Sequence, residues 1–109
     1  MPSTSGGLVR GTVDLLILKT LELEARHGVG VADRIAQITG GGFALGPGSL
    51  FPALHRLEQR GWIQGHWRKT EEGRRARFYE LTTAGRAELK REQKDWSRVV
   101  AAMQQVLQS

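Results

Sequence analysis

The most informative pattern of apolar and polar positions lies at residues 46–82, GPGSLFPALHRLEQRGWIQGHWRKTEEGRRARFYELT. Leu50, Leu54 and Leu57 fall at i, i+4 and i+7 with Phe51 beside them, so a helix here turns one apolar stripe to a core. Ser49, Ala53, His55, Arg56, Gln59 and Arg60 are expected to point elsewhere, giving a polar and basic outer face. With Gly48 or Ser49 as the N-cap, Pro52 falls near the helix start, where amides lack intrahelical partners, and Gly61 supplies the stop. The period then changes to two. Residues 62–68 and 77–81 are rich in aromatic and β-favouring side chains, and Ile63, Tyr79 and Leu81 give a hairpin its inward face. Its tip, residues 69–76, carries Gly73.

The flanking stretches complete the pattern. Residues 8–24, LVRGTVDLLILKTLELE, predict a first helix with Val9, Val13, Leu16, Ile17, Leu21 and Leu23 on one broad apolar face. Leu8, Leu15 and Leu18 gather on nearly the opposite side, which requires either a partner chain or a helix enclosed by its own domain. A turn at residues 25–30 leads to a second helix at about 29–39, with Val31, Ala32, Ile35 and Ile38 at helical spacing. His27 reads as a turn or capping residue rather than a ligand, and the glycines at 40–42 end the helix. After the hairpin, Thr82 or Thr83 caps a last helix. Leu89, Trp96, Val99, Val100, Met103, Val106 and Leu107 recur along it at intervals of three, four and seven. A three-helix core is complete before this helix begins. A two-fold dimer would bury its stripe together with Leu8, Leu15 and Leu18, whereas a helix folded back on its own domain would need no partner.

The elements add up to a mostly α fold with a small β-hairpin: a winged helix-turn-helix followed by a C-terminal helix. The expected organisation is a disordered lead at 1–7, the winged unit at 8–82 and a dimerisation helix at 83–109. For 109 residues this is one small domain.

Charge sharpens the picture. The net charge is +5, and between residues 50 and 91 ten Lys and Arg face five acids. Within 66–77, Arg68, Lys69, Arg74, Arg75 and Arg77 stand against Glu71 and Glu72. A basic hairpin tip directly after a helix with a polar outer face suits phosphate or minor-groove contact, and the glycine-rich start of that helix lets backbone amides approach a phosphate. Other chemistries have little support. There is no cysteine, and the three histidines (His27, His55, His66) are scattered, so no metal site or disulfide is expected. No cofactor motif, nucleophile context, signal peptide or membrane-spanning run occurs, which predicts a cytoplasmic protein that is not an enzyme.

The segments GTVDLLILKTL (11–21), RHGVGVADRI (26–35), GSLFPALHRLEQRGWI (48–63) and RRARFYELTTAGRAEL (74–89) closely resemble the PadR family of bacterial transcriptional regulators. The resemblance covers the chain from about residue 8. It implies a winged-helix DNA-binding domain with a C-terminal dimerisation helix, acting as a homodimeric repressor on a near-palindromic operator. Residue by residue it places Ser49, Phe51, Pro52, His55 and Arg56 on or beside a recognition helix near 46–61, and Arg68, Lys69, Arg74, Arg75 and Arg77 on a wing near 66–77. Family members commonly have tyrosine at the position of Phe51 and an aromatic at Val29. Some bind flat aromatic molecules between tryptophans of paired C-terminal helices, which makes Trp96 a candidate for a small aromatic effector, against plain interface packing. The competing function is a winged-helix protein-interaction module without specific DNA binding. Salt separates the two, because phosphate binding weakens steeply as salt rises and an apolar protein interface does not.

Overall fold

A computed structural model describes residues 2–109, with side chains described from Gly11 onward. Its elements run α1 (Pro2–Thr20), β1 (Arg26–His27), α2 (Gly28–Ile38), α3 (Pro47–Gln59), β2 (Ile63–Lys69), β3 (Arg75–Leu81) and α4 (Thr83–Gln108). α1 begins at Pro2, so its backbone takes in residues 2–7, where a disordered lead was expected, while the expectations for the side chains of Leu8 and Val9 lie outside the described side chains. The fold is mostly helical with a small antiparallel sheet, as the pattern predicts, and the sheet has three strands in the order β1-β3-β2. The short first strand was not foreseen. Residues 26 and 27, expected in a turn, pair with β3 in the register Arg26↔Tyr79 and His27↔Phe78.

One core joins the helices to the base of the sheet. Val13, Ile17, Leu18 and Leu21 meet Val31 and Ile35 of α2 and Leu50, Ala53, Leu54 and Leu57 of α3, closed by Ile63, Tyr79, Leu81 and Leu89. Three expectations are corrected here. Leu18 and Leu89, assigned to a dimer interface, are 0% and 2% exposed in the protomer's own core and have no surface left for a partner. Ala53, placed on the outer face of α3, is also buried. The reason is the position of α1, which packs against α2, α3 and α4, so that apolar residues from both of its faces, Ile17 and Leu18 among them, are used within the chain. Leu15 is half-buried against the same core. Leu23 lies beyond the end of α1 and is exposed.

Short-range capping fixes the joints. His27 caps α2, its Nδ1 accepting from the Gly30 amide at 2.9 Å. Thr82 caps α4, its hydroxyl oxygen accepting from the Gly85 amide at 3.0 Å. At the end of α3, Gly61 adopts φ 76°, its amide donates to the Glu58 carbonyl and the Trp62 amide donates to the Leu57 carbonyl. This is a Schellman stop, in which glycine is favoured by the left-handed backbone. The same place anchors α4: the Thr82 amide donates to the Trp62 carbonyl at 3.1 Å, and a Cβ built on Gly85 would lie 1.9 Å from that oxygen. The end of α3, the base of the hairpin and the start of α4 are thereby clasped together.

α3 begins earlier than the sequence suggests. Gly46 is its N-cap and Pro47 its first residue, so Pro52 lies in the second turn and cannot donate to the carbonyl of Gly48. Both residues are exposed, which keeps that gap in the helix ladder out of the core.

Candidate nucleic-acid interface

Two surfaces stand next to one another, the outer face of α3 and the hairpin formed by β2 and β3. Burial of Leu50, Leu54 and Leu57 turns Gly48, Ser49, Pro52, His55 and Gln59 outward. The first turn of α3 receives no side-chain cap from Gly46, so the positive end of the helix is open beside Ser49. Phe51 is half exposed, and its ring leans over the start of α2, where a Cβ on Gly28 would meet it at 3.0 Å. It therefore joins α2 to α3 as much as it faces outward.

Arg56 does not share this face. Its guanidinium donates to Asp14 Oδ1 at 2.6 Å, and Asp14 is the buried polar residue of α1. The pair holds the C-terminal half of α3 against α1, so the expectation that Arg56 reaches DNA is revised.

The hairpin is longer and its tip tighter than predicted. Pairing continues to Lys69↔Arg75, leaving five residues in the turn. The Thr70 amide donates to the Arg74 carbonyl at 2.7 Å, the Gly73 amide returns to Thr70 at 2.9 Å, and Gly73 takes φ 85°. Directly paired residues share a face of the sheet. One face carries Ile63, Gly65, Trp67 and Lys69 with Leu81, Tyr79, Arg77 and Arg75; the other carries Gln64, His66 and Arg68 with Glu80, Phe78 and Ala76.

Aromatic rings order several of the cations. Arg68 lies 4.1 Å over the Phe78 ring, and Arg75 lies 5.2 Å over Trp67. Trp67 is exposed and orders Arg75 on the outer wing, a role not expected from the sequence. The signal was its register opposite Arg77 in a period-two strand. Arg68, Lys69, Arg74 and Arg75 are exposed and form no ion pair among the described residues. Arg77 differs. It is half-buried, donates to Glu58 Oε2 of α3 at 2.5 Å and is held protonated more firmly than usual by that hydrogen bond.

Beyond Glu92, α4 leaves the body of the molecule. Trp96, Val99, Met103, Val106 and Leu107 are exposed and Val100 is half-buried. Trp96 retains 38% of its surface, and a shallow apolar hollow of about 300 Å³ lies further along, lined by Ala102, Met103, Val106 and Leu107. Among the described residues no cluster of three or more acids, histidines or cysteines could hold a metal ion, and no helix is long and apolar enough to cross a membrane.

Residues 17–91 match the family described as the transcriptional regulator PadR-like family. The chain belongs to that family. PadR-like proteins are DNA-binding transcriptional regulators and not enzymes. Among relatives, a transcriptional regulator of Mycobacterium tuberculosis is 36% identical over 80 residues, covering 73% of this chain and 71% of the relative. A PadR family transcription regulator from Clostridium difficile is 27% identical with a TM-score of 0.76, covering 87% of this chain and 97% of its own. A transcriptional regulator from Clostridium thermocellum shares the fold at a TM-score of 0.82 and 23% identity, covering 91% of this chain and 96% of its own. In winged-helix terms, α3 is the third helix and the β2–β3 hairpin is the wing.

Proposed function

We propose that this PadR-like chain is a homodimeric repressor that lays α3 in the major groove of its operator and the wing along the adjoining backbone or minor groove. The observation that carries the reading is the adjacency of the exposed polar face of α3, joined to the hairpin through Glu58 and Arg77, to a wing whose outer cations lack acidic partners among the described residues. Ser49, Pro52 and His55, with Phe51 at the edge, present the groups for base edges and flanking phosphates. Arg68, Lys69, Arg74 and Arg75 supply affinity that is largely independent of sequence. The unpartnered apolar side of α4, from Trp96 to Leu107, supports two-fold association, which would place two copies of α3 in successive major grooves. Such a complex covers about two turns of duplex and would repress by occupying a promoter.

The test is a fluorescence titration against DNA from upstream of the protein's own gene, beside a shuffled duplex, at low and near-physiological salt. Tight promoter binding that survives salt, with the shuffled duplex released, is the expected result. Equal, salt-sensitive binding to both duplexes, or none, would contradict specific control of that promoter and favour a protein-interaction role for the same fold.

A further inference from the structure

We propose that Glu58 and Arg77 are positioning residues: their ion pair, closed over the bare backbone of Gly65, sets the angle between the wing and α3 and so the offset between the two DNA contacts. This rests on the DNA-binding reading and deepens it.

The wing needs such a device. Its base is held by Ile63, Tyr79 and Leu81 in the core, but the pairs beyond Gly65↔Tyr79 have no buried member. β1 supports β3 only as far as Phe78, and past that residue the wing is a two-stranded ribbon, which twists easily. Arg77 sits at the first such pair on the α3 side, opposite Trp67, and reaches across to Glu58 at 2.5 Å. Its guanidinium lies 5.9 Å from the centres of both the Trp67 and Tyr79 rings, so its direction is fixed on several sides.

Gly65 makes the approach available. A Cβ there would lie 2.6 Å from Arg77 Nε and 2.8 Å from Cζ, so the guanidinium occupies the space where any other residue would carry a side chain. Gly65 does not need a left-handed backbone, because it is absent from the residues with positive φ. Space for Arg77 is what the glycine provides. Glu58 is equally telling. It lies in the last turn of α3, where the helix dipole disfavours an acid, and a cation from another element removes that conflict. Arg77 is therefore committed inward, to geometry, while Arg74 and Arg75 face the DNA.

The sign of one substitution separates this role from direct contact. Glu58→Gln removes a negative charge beside the proposed DNA surface, so plain electrostatics, or an Arg77 freed to reach a phosphate, would tighten binding. A lost positioning pair weakens it instead. The probe is a duplex that the wild-type protein selects from a randomised library, with a shuffled duplex as control. The expected result is a roughly tenfold loss of affinity for the selected duplex, the scale of one charge-assisted pair, with shuffled binding unchanged or tighter. Arg77→Met should show the same loss and keep the wild-type salt slope, whereas a phosphate-binding arginine would lower that slope by about one. The double variant should lose no more than either single, and hydroxyl-radical protection should blur on the wing side alone. Gly65→Ala, which leaves both charges in place and displaces the guanidinium, should reproduce the loss even if one charge variant fails to fold. Tighter binding by Glu58→Gln, a lower slope in Arg77→Met, or an unchanged ratio of selected to shuffled affinity would overturn the positioning role. If the wild-type protein enriches no duplex, the DNA-binding reading itself falls, and the positioning role with it.

Discussion

Asp14 stands between Val13 and Leu15 on the first helix with 7% of its surface exposed, and Arg56 reaches it from 42 residues away. An acid on an apolar helix face must find a partner, since a buried unpaired charge is costly. That much could be inferred from the sequence, but the partner could not. Arg56 and Arg77 look like members of one basic stretch, yet each is committed to an acid on another element, while Arg74 and Arg75 stay exposed. His27, Gly61 and Thr82 were legible because their partners lie within a few residues along the chain. Asp14→Ala is expected to destabilise the fold by about 2–4 kcal/mol, because it strands a half-buried guanidinium. Urea unfolding measures this, and a change within experimental error would show that the pair contributes little.

Periodicity located the four helices and the hairpin, and it failed at their ends. α3 starts at Pro47 rather than near Ser49 because proline is favoured in a first helical turn and glycine can cap without a side chain, so the start carries a weak signal. The strand at Arg26–His27 is too short to show alternation and exists through its pairing with β3. On the wing, Arg74→Ala combined with Arg75→Ala should weaken binding to all duplexes alike and lower the salt slope by up to about two. An unchanged slope would remove the wing from the interface.

α4 carries a different kind of test. The Glu92 carboxyl is pushed up to about 7, first by burial, then by a hydrogen bond shared with Glu88 and by the charges of Glu88 and Asp14. Arg91 pairs with Glu88 and holds it ionised, so the proton stays on Glu92. A carboxyl that holds its proton more tightly when folded adds stability in acid, and that contribution is lost as pH rises through the folded value. Glu92→Gln should therefore match the wild type near pH 4.5 and be the more stable protein above pH 7, with the gap opening between those values. Thermal unfolding across this window is the check, and a constant difference would contradict the assignment.

Taken whole, the molecule measures 55 × 28 × 25 Å, and the 26 residues of α4 make a helix about 39 Å long that outruns the domain it starts from. The sequence identified an apolar stripe in excess of the core but misplaced its inner edge, because Leu89 has the same spacing as the exposed Trp96 and Met103, and Leu18 the same spacing as the half-buried Leu15, and only packing distinguishes them. The proposed interface is thus narrower, running from Trp96 to Leu107 with Leu15 at its margin. Trp96→Arg is expected to give monomers with poor operator affinity, and a normal dimer mass by light scattering would move the interface elsewhere.

Hydroxyl-radical footprinting of the wild-type protein on its selected duplex decides whether a dimer sets α3 in the major groove. Two protected patches on one side of the DNA, centred about one helical turn apart and each flanked by wing protection, are expected from a dimer with α3 in successive major grooves. A single patch, or even protection that ignores sequence, would contradict it.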